Sequence, residues 1–134
     1  MRICSFFVFL LAALQVYAQE KPKTDAELFS FAFSRYLLAT LTSGETKHNV
    51  TPNTKRLASQ FSEIPDGLRR MAACVGEQIA TRLEPALLSA RIAEAKELGI
   101  VDFGRFMLGL PVYELIRPSE DHCEKAYFGV KQPN

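Results

Sequence analysis

The hydrophobic positions divide the chain into a short apolar block at its start and a series of helix-length segments behind it. From Ser5 to Val16 almost every residue is apolar; Arg2 precedes the block, and Val16 and Ala18 flank Tyr17 at its end. A basic residue, an apolar core and small residues at −3 and −1 of a cleavage point are the layout of a secretory signal peptide. The block is too short to cross about 30 Å of hydrocarbon comfortably. The expectation is removal of residues 1–18, with 19–134 forming one domain.

Behind a polar lead-in, Gln19 to Lys23, the first helical segment opens with Thr24-Asp25-Ala26-Glu27, a capping-box pattern. Leu28, Phe29, Phe31, Phe33, Tyr36, Leu37, Leu38 and Leu41 then place apolar groups on nearly every side. A helix without a broad polar face is buried centrally or covered by a partner. Gly44 is its natural stop. Thr51-Pro52 supplies an N-cap followed by proline at the first helical position, opening a helix to about Ser62 with Leu57, Ala58 and Phe61 inward. Ile64-Pro65-Asp66-Gly67 is turn chemistry.

The cleanest period lies between Gly67 and Glu84, where Leu68, Met71, Ala72, Val75, Ile79 and Leu83 form one stripe. Cys74 sits at the margin of that stripe, in line with Arg70 and Gln78. Pro85 starts the next helix, with Leu87, Leu88, Ile92, Ala95 and Leu98 expected inward and Gly99 as terminator. Asp102 can cap a further segment carrying Phe103, Phe106, Met107 and Leu110 on one side, broken near Gly109-Leu110 by Pro111. Pro111 to Arg117 then reads as a separate turn or two, ended by Pro118. Asp121 to Glu124 would open a short helix bearing Cys123, and Gly129 to Asn134 a loose tail. No segment shows convincing β alternation. The expected fold is all-α, a single-domain bundle of four to six helices.

Charge narrows the function classes. The full chain carries 16 basic and 15 acidic side chains, and loss of Arg2 makes the mature chain neutral. Neutrality argues against nucleic-acid binding, which needs a basic face to offset phosphate. The nearest later candidate for a membrane span, Phe103 to Ile116, holds Arg105, Pro111 and Glu114 and is too short to cross a bilayer. The expected product has no transmembrane segment after cleavage and is soluble in the periplasm or outside the cell.

Of three cysteines, Cys4 leaves with the signal, so Cys74 and Cys123 are expected to pair in an oxidising compartment. Two free thiols, or a Cys–His site using His122, are the alternatives. Adjacent residues rarely face each other, and oxidising conditions disfavour a thiolate. His48 and His122 are far apart and no second ligand cluster completes Asp121-His122-Cys123-Glu124, so no metal or cofactor is expected. Glu77, Glu84, Glu94 and Glu97 suit a charged solvent face together with Arg82, Arg91 and Lys96. No nucleophile elbow, phosphate loop or paired CxxC is present. Asn49-Val50-Thr51 is a formal glycosylation sequon weakened by Pro52.

What stands out is aromatic load: the chain has ten phenylalanines. Phe29, Phe33 and Tyr36 in one segment and Phe103 and Phe106 in another either fill a core or form a partner or ligand surface. Arg69-Arg70 is a second candidate contact, for an acidic partner, although an exposed pair is the simpler reading. The preferred expectation is an exported, non-enzymatic protein of inhibitor, immunity or secretion-accessory type that binds another exported protein. The first alternative is a carrier of a small apolar ligand held between the first helix and the Phe103–Leu110 segment; an enzyme of unrecognised class is the second.

Overall fold

The computed structural model describes residues 24–44 and 50–129. The signal block, its cleavage point, His48, Asn49 and the tail after Gly129 lie outside the described residues. Six helices make up the described chain, and no strand occurs in it. They are α1 (Asp25–Ser43), α2 (Pro52–Phe61), α3 (Gly67–Arg82), α4 (Pro85–Leu98), α5 (Phe103–Phe106) and α6 (Val112–Phe128). The all-α expectation holds.

Local chemistry sets most of the boundaries. The Thr24 hydroxyl accepts from the Glu27 amide at 3.2 Å and starts α1. At α2, Thr51 and Thr54 satisfy each other's backbone amides through their hydroxyls, each at 3.2 Å, with Pro52 at the first helical position. Gly44 and Gly99 end α1 and α4 in the left-handed conformation that a glycine enters without steric cost. Asp102 caps α5 by accepting from the Gly104 amide at 2.9 Å.

Packing follows from the apolar stripes. Helix α1 lies against α3, α4 and α5, which accounts for a sequence with so little polar face. The expected stripe of α3 is the centre of the core: Met71, Ala72, Val75 and Ile79 are buried against Phe29, Phe33 and Leu37 of α1 and Leu57 and Phe61 of α2. The α1–α3 crossing is tightest at Gly76. A Cβ there would meet the Ser30 carbonyl oxygen at 2.8 Å and Ser34 Oγ at 2.9 Å.

Two readings of the sequence need correction. Leu87 and Leu98, expected inward, are exposed. They lie outside the strip of Leu88, Ile92 and Ala95 with which α4 meets the body. Pro118 does not end a helix: α6 runs through it from Val112 to Phe128, and Asp121 is an interior residue paired with Arg117. Proline removes one amide and crowds the carbonyl four residues back. Burial of Val112 and Ile116 before it, and of Ser119 and Cys123 after it, outweighs that cost. The Ser119 hydroxyl also donates to the Leu115 carbonyl at 2.7 Å, supporting the turn that Pro118 loosens.

The Cys74–Cys123 disulfide is present and joins α3 to α6, with Cα atoms 6.0 Å apart across a separation of 49 residues. In the chain-entropy model a loop of that length is worth about 4 kcal/mol.

Two outcomes follow. Gly76→Ala should lower stability by about 1–3 kcal/mol, because the new methyl group meets backbone that cannot move alone; the midpoint of urea unfolding measures it. Reduction should lower stability by up to about 4 kcal/mol, with amides of α6 exchanging faster before those around Val75 and Ile79 do.

Candidate ligand groove

Residues 29, 33 and 36 fall on one face of α1 at spacings of four and three, and that face meets α5. The five aromatic residues singled out in the sequence therefore come together. Phe29 stacks on Phe33 at 5.9 Å between ring centroids; Phe103 approaches Phe29 and Tyr36 at 5.7 Å each and Phe106 at 5.3 Å. Phe29 and Phe33 are each only 1% exposed, so neither offers an outward surface. Phe33 belongs to the core. Phe29 and Phe106 are core residues lying beneath a groove, and the half-buried Phe103 is the ring that faces into it.

That groove runs between α1, the second half of α4 and the segment from Gly99 to Phe106, with a volume of about 500 Å³. Leu28, Phe29 and Ala32 line it from α1, and Ile92 and Ala95 from α4. Ile100 and Val101 complete the far wall, and Lys96 and Asp102 supply the charged lining. Val101 is 98% exposed, an apolar side chain standing free at the edge.

A four-residue helix cannot hold its own position, and Arg91 holds α5 in place. Its guanidinium donates from Nε to the Phe106 carbonyl and from Nη2 to the Arg105 carbonyl, each at 2.8 Å. It also pairs with Glu94 at 2.9 Å and lies over the Phe106 ring at 6.0 Å. The sequence reading placed Arg91 on an ordinary solvent face. Its side chain is instead 15% exposed, because the two α5 carbonyls face α4 and need donors. The aliphatic strip gave no sign of this; the lack of capping residues after such a short helix was the available signal.

A second polar cluster lies where α2 meets α6. Glu120 is 1% exposed; its Oε1 accepts from Asn53 Nδ2 at 3.2 Å, and among the described residues its Oε2 has no hydrogen-bond partner. Burial pushes this carboxyl above the ordinary carboxylate value of 4.5, while Thr54, Asn53 and Arg117 pull it back and Asp121 adds to the rise. One turn further on, Glu124 pairs with Arg56 at 2.7 Å and raises that guanidinium further. Sequence reasoning assigned Glu120 no role. It lies three residues before Cys123, on the same buried strip, and that spacing was the available clue.

The other candidate residues stay apart from the groove. Arg69 and Arg70 are exposed in the first turn of α3, with Arg69 3.8 Å from Asp66. Cys123 is bridged and carries no thiolate for the exposed His122 beside it. Among the described residues no group of three or more His, Cys, Asp or Glu could hold a metal ion, and no helix is long and apolar enough to cross a membrane. No protein-family model, curated protein or solved structure matches the chain.

The Glu120 carboxyl makes stability depend on pH. Its proton is held more tightly in the folded than in the unfolded chain. Its contribution is therefore most favourable below pH 4.5 and is lost as pH rises through the folded-state value. Glu120→Gln keeps the shape without the charge. Urea unfolding at a series of pH values should show the variant gaining on the wild type between pH 4.5 and 7; a constant gap would contradict this account.

Proposed function

We propose that the protein is an exported binding protein, and that its groove takes a small apolar molecule. The observation that carries this reading is the groove: about 500 Å³, lined by Leu28, Ala32, Ile100 and Phe103, none of which needs a polar partner. Sites for small ligands are concave and mostly apolar, roughly 300–1,000 Å³ in volume, with few polar groups. Each methylene moved from water into such a site contributes about 0.8 kcal/mol. Export is argued from the signal-like start of the sequence and fits a chain stapled by one disulfide.

A protein partner that inserts an apolar side chain is the second reading. It is favoured by Val101, which is 98% exposed, and Leu98, which is 65% exposed, both close to the groove.

Uptake of the neutral fluorescent probe N-phenyl-1-naphthylamine tests the first reading. The wild type should bind it saturably, and protein purified from its own host should carry a co-bound small molecule in native mass spectrometry. Ala32→Trp fills the groove from α1 and should abolish uptake while leaving the helical circular dichroism unchanged. A wild type that takes up no probe, or a folded variant that binds it as well as the wild type, overturns the reading.

A further inference from the structure

The groove's lining is almost wholly apolar, and its two charged residues are not equivalent. Asp102 keeps its negative charge, but its Oδ1 is turned to the Gly104 amide at 2.9 Å as the cap of α5. Lys96 makes no ion pair among the described residues. It lies four residues after Ile92 and three before Gly99, so all three share one face of α4, and all three line the groove. A lysine in such a position lays its methylenes along apolar surface and keeps its ammonium in water. Neither acidic neighbour on α4 faces Lys96: Glu94, about 200° round the helix from it, pairs with Arg91 at 2.9 Å, and Glu97 is exposed and points away by the helical step of about 100°. The groove therefore presents an apolar trough edged by two unlike charges, the Asp102 carboxylate turned to the start of α5 and the Lys96 ammonium without an ion pair among the described residues.

We propose that the occupant is a single-chain amphiphile with an anionic head, a carboxylate or a similar acid, whose chain lies on Leu28, Ile100 and Phe103 and whose head meets Lys96. This rests on the groove reading and adds the chemistry of the head. A carboxylate at Lys96 gains a charge-assisted hydrogen bond that a neutral head of the same size makes less strongly. Because Lys96 is exposed, the gain is modest and screened by salt.

The test compares dodecanoate, dodecanol and dodecylamine as competitors of the bound N-phenyl-1-naphthylamine probe, at a pH where the acid is ionised and the amine protonated. The wild type should prefer the acid to the alcohol by about fivefold in dilute buffer, with the preference fading in high salt. Lys96→Met keeps an aliphatic stem without the charge and should bring the acid-to-alcohol ratio close to one. Lys96→Arg should keep the preference. Lys55→Met, an exposed change on α2 away from the groove, should leave the wild-type ratio in place. Equal binding of acid and alcohol by the wild type, or preference for the amine, overturns the head-group assignment while the groove reading stands. An acid preference that survives Lys96→Met overturns Lys96 as its source. Failure of all three to displace bound probe also overturns the assignment, and failure of the probe to bind at all removes the groove reading beneath it.

Discussion

The close crossing of α1 over α3 at Gly76 is the constraint on which the other contacts depend. With the Ser30 carbonyl oxygen 2.8 Å and Ser34 Oγ 2.9 Å from where a Cβ would be, the two backbones approach as near as a glycine permits. The Ser34 hydroxyl is turned back onto the Ser30 carbonyl at 2.6 Å, so the approach buries no unpaired donor. This spacing lets Phe29, Phe33 and Leu37 reach Met71, Val75 and Ile79 and build one continuous core. It also fixes the rotation of α1 about its axis. Once one side is committed to α3, the remaining apolar side has to be covered by α4 and α5, and where their cover is incomplete the groove opens.

Helix α6 is held by different means. A covalent bond ties it to α3, the ion pair of Arg56 with Glu124 ties it to α2, and Phe61 meets Tyr127 and Phe128 edge-on at 5.0 and 4.9 Å. Among these fastenings Glu120 is an expensive component, a buried carboxyl with one oxygen satisfied. Buried polar groups cost free energy when incompletely paired. The disulfide one turn away offsets part of that cost, so a helix carrying both an internal proline and a buried acid stays docked.

Much of the fold was legible because its determinants are local. Thr24, Thr51 and Asp102 announce helix starts by side-chain capping, Gly44 and Gly99 announce stops, and the α3 stripe has the period of its own burial. The pairing of Cys74 with Cys123 followed from the expected compartment and from the number of cysteines left after the expected cleavage. The failures are cases in which the presence or absence of a distant contact overrode a local rule. Pro118 is a helix breaker in sequence and an interior helical residue in the fold, because α6 is buried on both sides of it. Leu87 and Leu98 are apolar but meet no covering element. Arg91 is a charge on an amphipathic helix until α5 turns two carbonyls toward it. For the site, the aromatic residues could be named but not divided between groove and core. Phe29 and Phe33 have the same type and the same burial, and only the position of α5 distinguishes them. The role of Lys96 depends on which face of α4 borders the gap, and no periodicity contains that information.

The Cys74–Cys123 bridge also divides the molecule mechanically. Helices α2, α3 and α6 form a riveted frame, whereas α4 and α5 rest chiefly on α1 and on each other, joined by the Arg91 guanidinium and by Ser89, which donates to Asp25 at 2.7 Å. The groove lies on the unriveted side of this division. Breathing of α4 and α5 would widen it without disturbing the frame, on the timescale of local opening rather than of unfolding. A cross-link leaves free the elements it does not span.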